Sequence, residues 1–167
     1  MVHVYTGNGK GKTTAAIGLA VRCAGYGYPV YIAQFLKGMT TGECRALKKF
    51  KNVTLRQFGR GCFVGKRPSA SDRAAARRGY AKTEAAIAGK KHRLVILDEI
   101  NVAVSLGLIS QKELFTLIEA AGPECDLVLT GRGASPALVR RADLVTEMKE
   151  RRHYHKRGVA ARKGIEC

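Results

Sequence analysis

Gly7-Asn8-Gly9-Lys10-Gly11-Lys12-Thr13-Thr14 stands between a short β-rich run, Val2–Thr6, and a helical pattern from Lys12 to about Cys23. In that position the stretch reads as a phosphate cradle. Glycines let the backbone curl until several N–H groups face one anion, and the start of the helix adds its partial positive charge. Lys12 brings a full charge to the outer phosphates of ATP, and the Thr13 hydroxyl is placed to hold Mg²⁺. The residues expected at the nucleotide are therefore Gly7, Asn8, Gly9, Lys10, Gly11, Lys12, Thr13 and Thr14. The spacing departs from the common G-x-x-x-x-G-K-[ST] pattern in one respect. Thr6 stands where the first glycine would be, so the loop is one residue short. A dinucleotide-type G-x-G-x-x-G fails as well, because Lys12 occupies the place of the third glycine. A shorter loop predicts a different grip on the phosphate chain from that of an ordinary ATPase.

Outward from the loop, β-rich runs alternate with helical patterns, as in a parallel sheet with crossover helices. Pro29–Phe35 and Val53–Phe58 read as the second and third strands. Arg93-Leu94-Val95-Ile96-Leu97-Asp98-Glu99 is the strongest strand, a continuous apolar run suited to the doubly covered centre of such a sheet. Its terminal carboxylates, Asp98 and Glu99, are candidates to hold Mg²⁺ directly or through water. Asp126–Thr130 and Leu144–Met148 supply the last strands. Thr130-Gly131-Arg132 ends the first of these, and Arg132 either reaches a phosphate or caps a loop. The first helix carries Ala15, Ala16, Leu19, Ala20 and Cys23 on one face and stops at Gly25-Tyr26-Gly27. Ser71 to about Ala88 reads as a long basic helix opening on Ser71-Asp72. Ser110 to about Ala121 reads as another, with Ser110 and Glu113 spaced as a capping box. No repeat, linker or low-complexity segment interrupts the pattern. The expectation is a single α/β domain over residues 1–167, with a mostly parallel central sheet and helices on both faces.

Composition narrows the setting. An apolar fraction of 46% and 19 glycines in 167 residues suit an ordered α/β protein with a proper core. No apolar run approaches the roughly 18–20 residues of a membrane span, so no membrane partner is expected. Met1–Tyr5 leads straight into the glycine-rich stretch and leaves no room for a signal peptide, which predicts a cytoplasmic location. The five cysteines (Cys23, Cys44, Cys62, Cys125, Cys167) are scattered without a C-x-x-C pair and read as reduced thiols. Cys23 and Cys125 are expected in the core. Thirty Lys and Arg against 13 Asp and Glu give a formal charge of +17, which favours anionic partners without choosing among nucleotide, nucleic acid and acidic protein.

Several segments, in order along nearly the full length, carry a resemblance to a known family. They are Thr6–Thr14, Gln34-Phe35-Leu36-Lys37-Gly38, Thr41-Gly42-Glu43, Leu97-Asp98-Glu99-Ile100-Asn101, Thr130-Gly131-Arg132, Ala142–Met148 and Lys163-Gly164-Ile165-Glu166. Together they resemble the P-loop ATP:corrinoid adenosyltransferases of cobalamin biosynthesis and salvage, which share the short phosphate loop. The resemblance implies a RecA-like sheet, a homodimer, and transfer of the 5′-deoxyadenosyl group of ATP to cobalt(I) of a corrinoid, with inorganic triphosphate leaving. It also implies a triphosphate lying reversed in the loop, and a flavoprotein or similar reductant to supply cobalt(I). The corrinoid metal is the nucleophile, so no side-chain nucleophile is required. Lys12, Mg²⁺ on Thr13 and Asp98 or Glu99, and Arg132 would spread the charge of the leaving group, with Lys12 and Glu99 as the catalytic candidates. Gly59-Arg60-Gly61 is followed here by Cys62-Phe63-Val64, where many members have Gly-Phe-Thr-Trp. Phe63 is accordingly expected to face the corrinoid. His153 and Tyr154 match a His-Pro-Tyr-like segment loosely and imply no role.

Three other readings compete. A basic P-loop ATPase acting on nucleic acid is suggested by the charge, by Lys90-Lys91-His92-Arg93 and by Arg151–Arg157. These stretches do not alternate basic residues with aromatics as a stacking platform does, so nucleic acid is not the expected partner. A nucleoside kinase of the zinc-bearing type lacks its paired cysteines here. A non-enzymatic nucleotide sensor differs from an enzyme only in turnover.

Overall fold

The computed structural model describes residues 1–59, 61 and 68–166. Strands β1 (Val2–Thr6), β2 (Val30–Phe35), β3 (Val53–Phe58), β4 (Leu94–Asp98), β5 (Asp126–Thr130) and β6 (Leu144–Glu147) form one all-parallel sheet in the order β3-β2-β4-β5-β1-β6. Helices α1 (Lys12–Gly25), α2 (Gly42–Leu47), α3 (Ala70–Ala88), α4 (Ile100–Ser105), α5 (Gln111–Ala121) and α6 (Pro136–Arg141) connect them, and a 3₁₀ turn follows at Tyr154–Arg157. The α/β architecture expected from the alternating pattern is the one observed.

Every residue of β2 and β4 is buried, which their continuous apolar runs demand of strands covered on both faces. The period of two sorts each strand between two cores. Val30, Ile32, Leu94, Ile96 and Val128 face α1, where Ala16, Ala20 and Ala24 recur every fourth residue and present little bulk. Tyr31, Ala33, Phe35, Val95, Leu97, Leu127 and Leu129 join the other core with residues of α3, α4 and α5. Continuing the α1 face by one more rung, to the carboxyl ends of the strands, changes its chemistry. The next positions are Gln34 and Asp98, paired across β2 and β4, with Gln57 beside Gln34 on β3 and Thr130 ending β5. An apolar face thus ends in a polar row directly beneath the start of α1.

The capping box predicted at Ser110 and Glu113 is present. The Ser110 hydrogen bonds, side chain first, hold the Glu113 carboxyl down at about 2. The other long helix begins one residue earlier than its Ser71-Asp72 signal suggests. Ser69 is the cap, and Asp72 closes the box by accepting from the Ser69 N–H. Helices α2, α4 and α6, each of six residues, are too short to register as periodic patterns. Cys125 is buried as expected, whereas Cys23 is half-buried at the edge of the α1 core. No described helix is long and apolar enough to cross a membrane.

Helix α3 lies so close to the sheet that a Cβ at Gly79 would sit 2.7 Å from Phe35 Cε1 and 2.9 Å from Phe58 Cγ. Gly18, on the exposed side of α1, has nothing within 4 Å of the same position. Gly79→Ala is therefore expected to lower unfolding free energy by about 1–3 kcal/mol through overpacking. Gly18→Ala should raise it by about 0.5–1 kcal/mol through helix propensity. Urea titration of both variants checks the pair, and a shift of equal sign in the two would contradict the packing described.

Candidate active site

All six strands deliver their carboxyl ends to one edge of the sheet, the side where ligands bind in open parallel sheets. There the Gly7–Gly11 loop leads from β1 into α1. Gly7 and Gly11 have φ values of +95° and +113°, which side chains other than glycine rarely adopt. The end of β6 presses on the loop: the Gly9 N–H donates to Met148 O at 2.6 Å, and a Cβ on Gly7 would lie 2.5 Å from that oxygen. Met148 thus fixes the loop from outside, through contacts that the spacing of its glycines does not reveal.

Helix α1 starts with no side-chain cap and no acidic residue in its first turn. The other two helices longer than ten residues, α3 and α5, have both. Its first N–H groups therefore keep their donor capacity for an anion, and the helix dipole adds to the attraction. Lys12 is 7% exposed, and its ammonium donates to Gly7 O at 2.8 Å and Gly9 O at 2.6 Å. Burial pushes its pKa down; Glu99 opposes that, Arg132 adds to it and Asp98 opposes it.

Asp98 is fully buried and accepts four hydrogen bonds. Thr13 and Thr130 donate to Oδ1 at 2.8 and 2.7 Å, and Gln34 and Lys37 donate to Oδ2 at 3.1 and 2.7 Å. Gln57 in turn donates to Gln34 Oε1 at 3.0 Å, which fixes the orientation of the Gln34 amide. Burial works against the Lys37 charge, but the Asp98 charge and hydrogen bond outweigh it and hold the Lys37 pKa above its ordinary value. Glu99 is turned toward the loop by a left-handed backbone, φ 60°, while its N–H donates to Thr130 Oγ1 at 3.0 Å. Burial pushes its carboxyl pKa up, and the neighbouring Asp98 charge adds to the shift.

Lys12, Thr13, Lys37 and Glu99 line a cleft of about 480 Å³ that also takes in Lys10, Thr14, Arg132, Glu43, His153 and the segment Gly164–Glu166. That segment is tied down by the Lys10 ammonium, which donates to Ile165 O at 2.9 Å. Glu166 accepts from the Tyr154 hydroxyl and from Arg162, and Arg162 lies 4.9 Å over the Tyr154 ring. The Arg162 and Tyr154 hydrogen bonds, Arg162 first, hold the Glu166 carboxyl down at about 2. Of the residues predicted for the site, Gly9, Lys10, Gly11, Lys12, Thr13, Thr14, Glu99 and Arg132 line the cleft. Asp98 lies beneath it and reaches it through Thr13 and Lys37, Gly7 supports Lys12 from the loop, Asn8 is not among the residues that line it, and Phe63 falls outside the described residues. Reading the motifs alone missed Gln34, Gln57, Lys37 and the Thr130 hydroxyl. The period-two pattern that ends each α1-facing strand in a polar residue was the signal available for Gln34, Gln57 and Thr130, whereas Lys37 lies beyond the end of β2 and outside that pattern.

The donor set suits a magnesium ion. Thr13 Oγ1 and Asp98 Oδ1 are hard oxygens 2.8 Å apart, Glu99 is a carboxylate that an added cation would stabilise, and Mg²⁺ uses one or two carboxylates alongside phosphate oxygens. Among the described residues no group of three or more His, Cys, Asp or Glu side chains could hold a metal unaided.

A parallel α/β sheet with an uncapped helix, a glycine loop and a buried carboxylate at one edge defines a class of anion-binding proteins rather than one activity. Comparison with known proteins narrows it. The whole chain, residues 1–167, matches the model of the family described as ATP:corrinoid adenosyltransferase BtuR/CobO/CobP. A corrinoid adenosyltransferase of Pseudomonas aeruginosa is 35% identical over 98% of this chain and 81% of its own length. One from a Sinorhizobium species is 37% identical over 99% of this chain and 79% of its own, and one from Escherichia coli is 31% identical over 99% and 85%. The chain belongs to the ATP:corrinoid adenosyltransferase family.

The raised pKa of Glu99 has a definite sign. Its charged form is disfavoured in the folded chain, so the cost is full above the folded pKa and absent below the unfolded value of about 4.3. Glu99→Gln should therefore raise the melting temperature of the ligand-free protein at pH 8, with the gain fading toward pH ~4. Thermal unfolding across that range checks it, and a gain independent of pH would refute the assignment.

Proposed function

We propose that this cleft binds ATP as a P-loop site and transfers its 5′-deoxyadenosyl group to cobalt(I) of a corrinoid, with inorganic triphosphate as the leaving group. The observation that carries the reading is the concentration of cations where the loop meets the strand ends. Lys10, Lys12, Lys37 and Arg132 all line the cleft beside the free N–H groups of α1. In the reaction the cobalt electron pair forms a bond to ribose C5′ while the C5′–O bond to the α-phosphate breaks. Negative charge then accumulates on the whole triphosphate, and fixed donors around it lower the barrier by stabilising that charge. Lys12 can trade its loop carbonyls for phosphate oxygens without moving its backbone. Thr13, Asp98 and Glu99 would hold Mg²⁺, which when bound neutralises part of the leaving group. Holding both partners in line is the protein's other contribution. Phe63 is carried into this reading from the sequence as the residue facing the corrinoid. A homodimer, a flavoprotein-type reductant and a cytoplasmic location suited to free thiols complete it.

An anaerobic absorbance assay with ATP, Mg²⁺ and chemically reduced corrinoid tests the proposal by following the cobalt–carbon bond. Adenosylated corrinoid and inorganic triphosphate are expected in equal amounts, and ADP with phosphate as stoichiometric products would overturn it. Lys12→Ala should lower kcat by a factor on the order of 10²–10³ and weaken ATP binding as well, because the group it binds gains charge in the transition state.

A further inference from the structure

Lys37 has no counterpart in the P-loop signature, yet the chain goes to unusual lengths to place it. Leu36, just before it, has φ 61°, a left-handed conformation that residues with a Cβ rarely adopt. Backbone strain of this kind persists only where the surroundings enforce it, and it concentrates at functional positions. Three features enforce it here. The Leu36 N–H donates to Phe58 O at 3.0 Å, and the Gly38 N–H donates to Gly61 O at 3.0 Å. Gly59 packs so tightly that a Cβ there would lie 2.5 Å from both Leu36 C and Lys37 N. The result is an ammonium 2.7 Å from Asp98 Oδ2 and 3.5 Å from Thr13 Oγ1, facing the same cleft as Lys10, Lys12 and Arg132.

Asp98 sets a limit on what else can bind there. A carboxylate offers about four lone-pair sites, and four donors already occupy them. A divalent cation can coordinate Asp98 directly only if one donor leaves. Gln34 and Thr130 are fully buried, and Thr13 is fixed on the first turn of α1. Lys37 is partly exposed, carries a flexible four-carbon stem, and is the one donor whose charge a dication repels.

From this arrangement, and resting on the proposed adenosyl transfer for its catalytic meaning, we propose that Lys37 is a second triphosphate-binding cation that exchanges with the divalent metal at Asp98. The metal takes the carboxylate, and the released ammonium moves onto the phosphate chain at the mouth of α1. Asp98 keeps a cationic partner throughout, and the leaving group gains a positive charge when the metal arrives.

Two binding measurements, independent of turnover, test this on the full chain. Lys37→Gln keeps a hydrogen-bond donor to Asp98 but removes the charge. It should bind Mn²⁺, followed by paramagnetic resonance without nucleotide, at least about tenfold more tightly than the wild type. Its affinity for inorganic tripolyphosphate in the presence of Mg²⁺, measured by calorimetry, should fall about tenfold or more. The opposite signs distinguish exchange from a scaffolding role. Unchanged tripolyphosphate affinity overturns the proposal, and so does a parallel loss of Mn²⁺ and tripolyphosphate binding. Should Lys37→Gln not fold, Lys37→Arg decides: its guanidinium grips Asp98 more firmly, so Mn²⁺ affinity must fall about tenfold while tripolyphosphate binding without metal persists. Unchanged Mn²⁺ affinity in that variant equally overturns the proposal. If the wild type binds tripolyphosphate but forms no adenosylated corrinoid, the proposed reaction fails while these measurements still decide the role of Lys37.

Discussion

A carboxylate removed from water is costly unless its lone pairs are used and its charge is matched, and Asp98 meets both demands with donors from four separate segments. Thr13 comes from α1, Gln34 from β2, Lys37 from the bend after β2 and Thr130 from β5. Each donor depends on a feature of its own segment. The register of β2 against β4 puts Gln34 beside Asp98. The strand order puts β5 between β4 and β1, so that Thr130 stands between the carboxylate and the loop. The left-handed bend at Leu36 turns Lys37 inward. One buried charge therefore fixes the relative positions of the loop, the first helix and three strand ends. Two members of the set, Thr13 and Lys37, also line the cleft.

Much of this was legible in the sequence, and the limits follow physical lines. The central strands could be read because burial on both faces makes them uniformly apolar. The glycine loop could be read because few chemistries require Gly-Lys-Thr-Thr between a strand and a helix. Helices α1, α3 and α5 were long enough for their periodicity and termini to appear. The six-residue helices were not, although Ser135 and Pro136 are an ordinary start signal for α6. Gln34 and Gln57 were obscured for a different reason. They look like polar interruptions in apolar strands until the parallel register lines them up with Asp98 and Thr130. Non-local pairing creates that row, and no local window of sequence contains it.

The loop is also packed from below. Met148 O, at the end of β6, accepts from the Gly9 N–H at 2.6 Å and leaves no room for a Cβ on Gly7 or Gly9. Strand β6 is an edge strand whose residues are all exposed to some degree, but its end serves as the floor of the loop. The ordering of Ala142–Met148 is thereby linked to the conformation of Gly7–Gly11 at the opposite end of the chain. The clasp of Tyr154, Arg162 and Glu166 extends the same logic to the far wall, holding Ile165 where Lys10 can reach its carbonyl. The loop lies more than 130 positions before both the floor and the wall in sequence, and their agreement in space depends on the whole sheet being formed.

Electrostatics explain why so basic a chain can still keep an acidic centre. Two adjacent carboxylates at the end of β4 would repel each other, and the raised pKa of Glu99 records part of that repulsion. The cations around them are held in two different ways. Lys12 is buried and bonded to backbone oxygens of its own loop, not to a carboxylate, so its charge is available to phosphate whether or not a metal is bound. Lys37 is bonded to a carboxylate that a metal would also claim, so under the proposed exchange its position depends on what else is bound. An ammonium held by loop carbonyls gives the site an attraction for phosphate that does not depend on the metal. An exchangeable one adds an attraction that does, because arrival of a dication at Asp98 frees a positive charge instead of merely adding one. A site built this way would favour the metal–triphosphate complex over either component alone, and it would do so with side chains whose backbones remain fixed to the sheet.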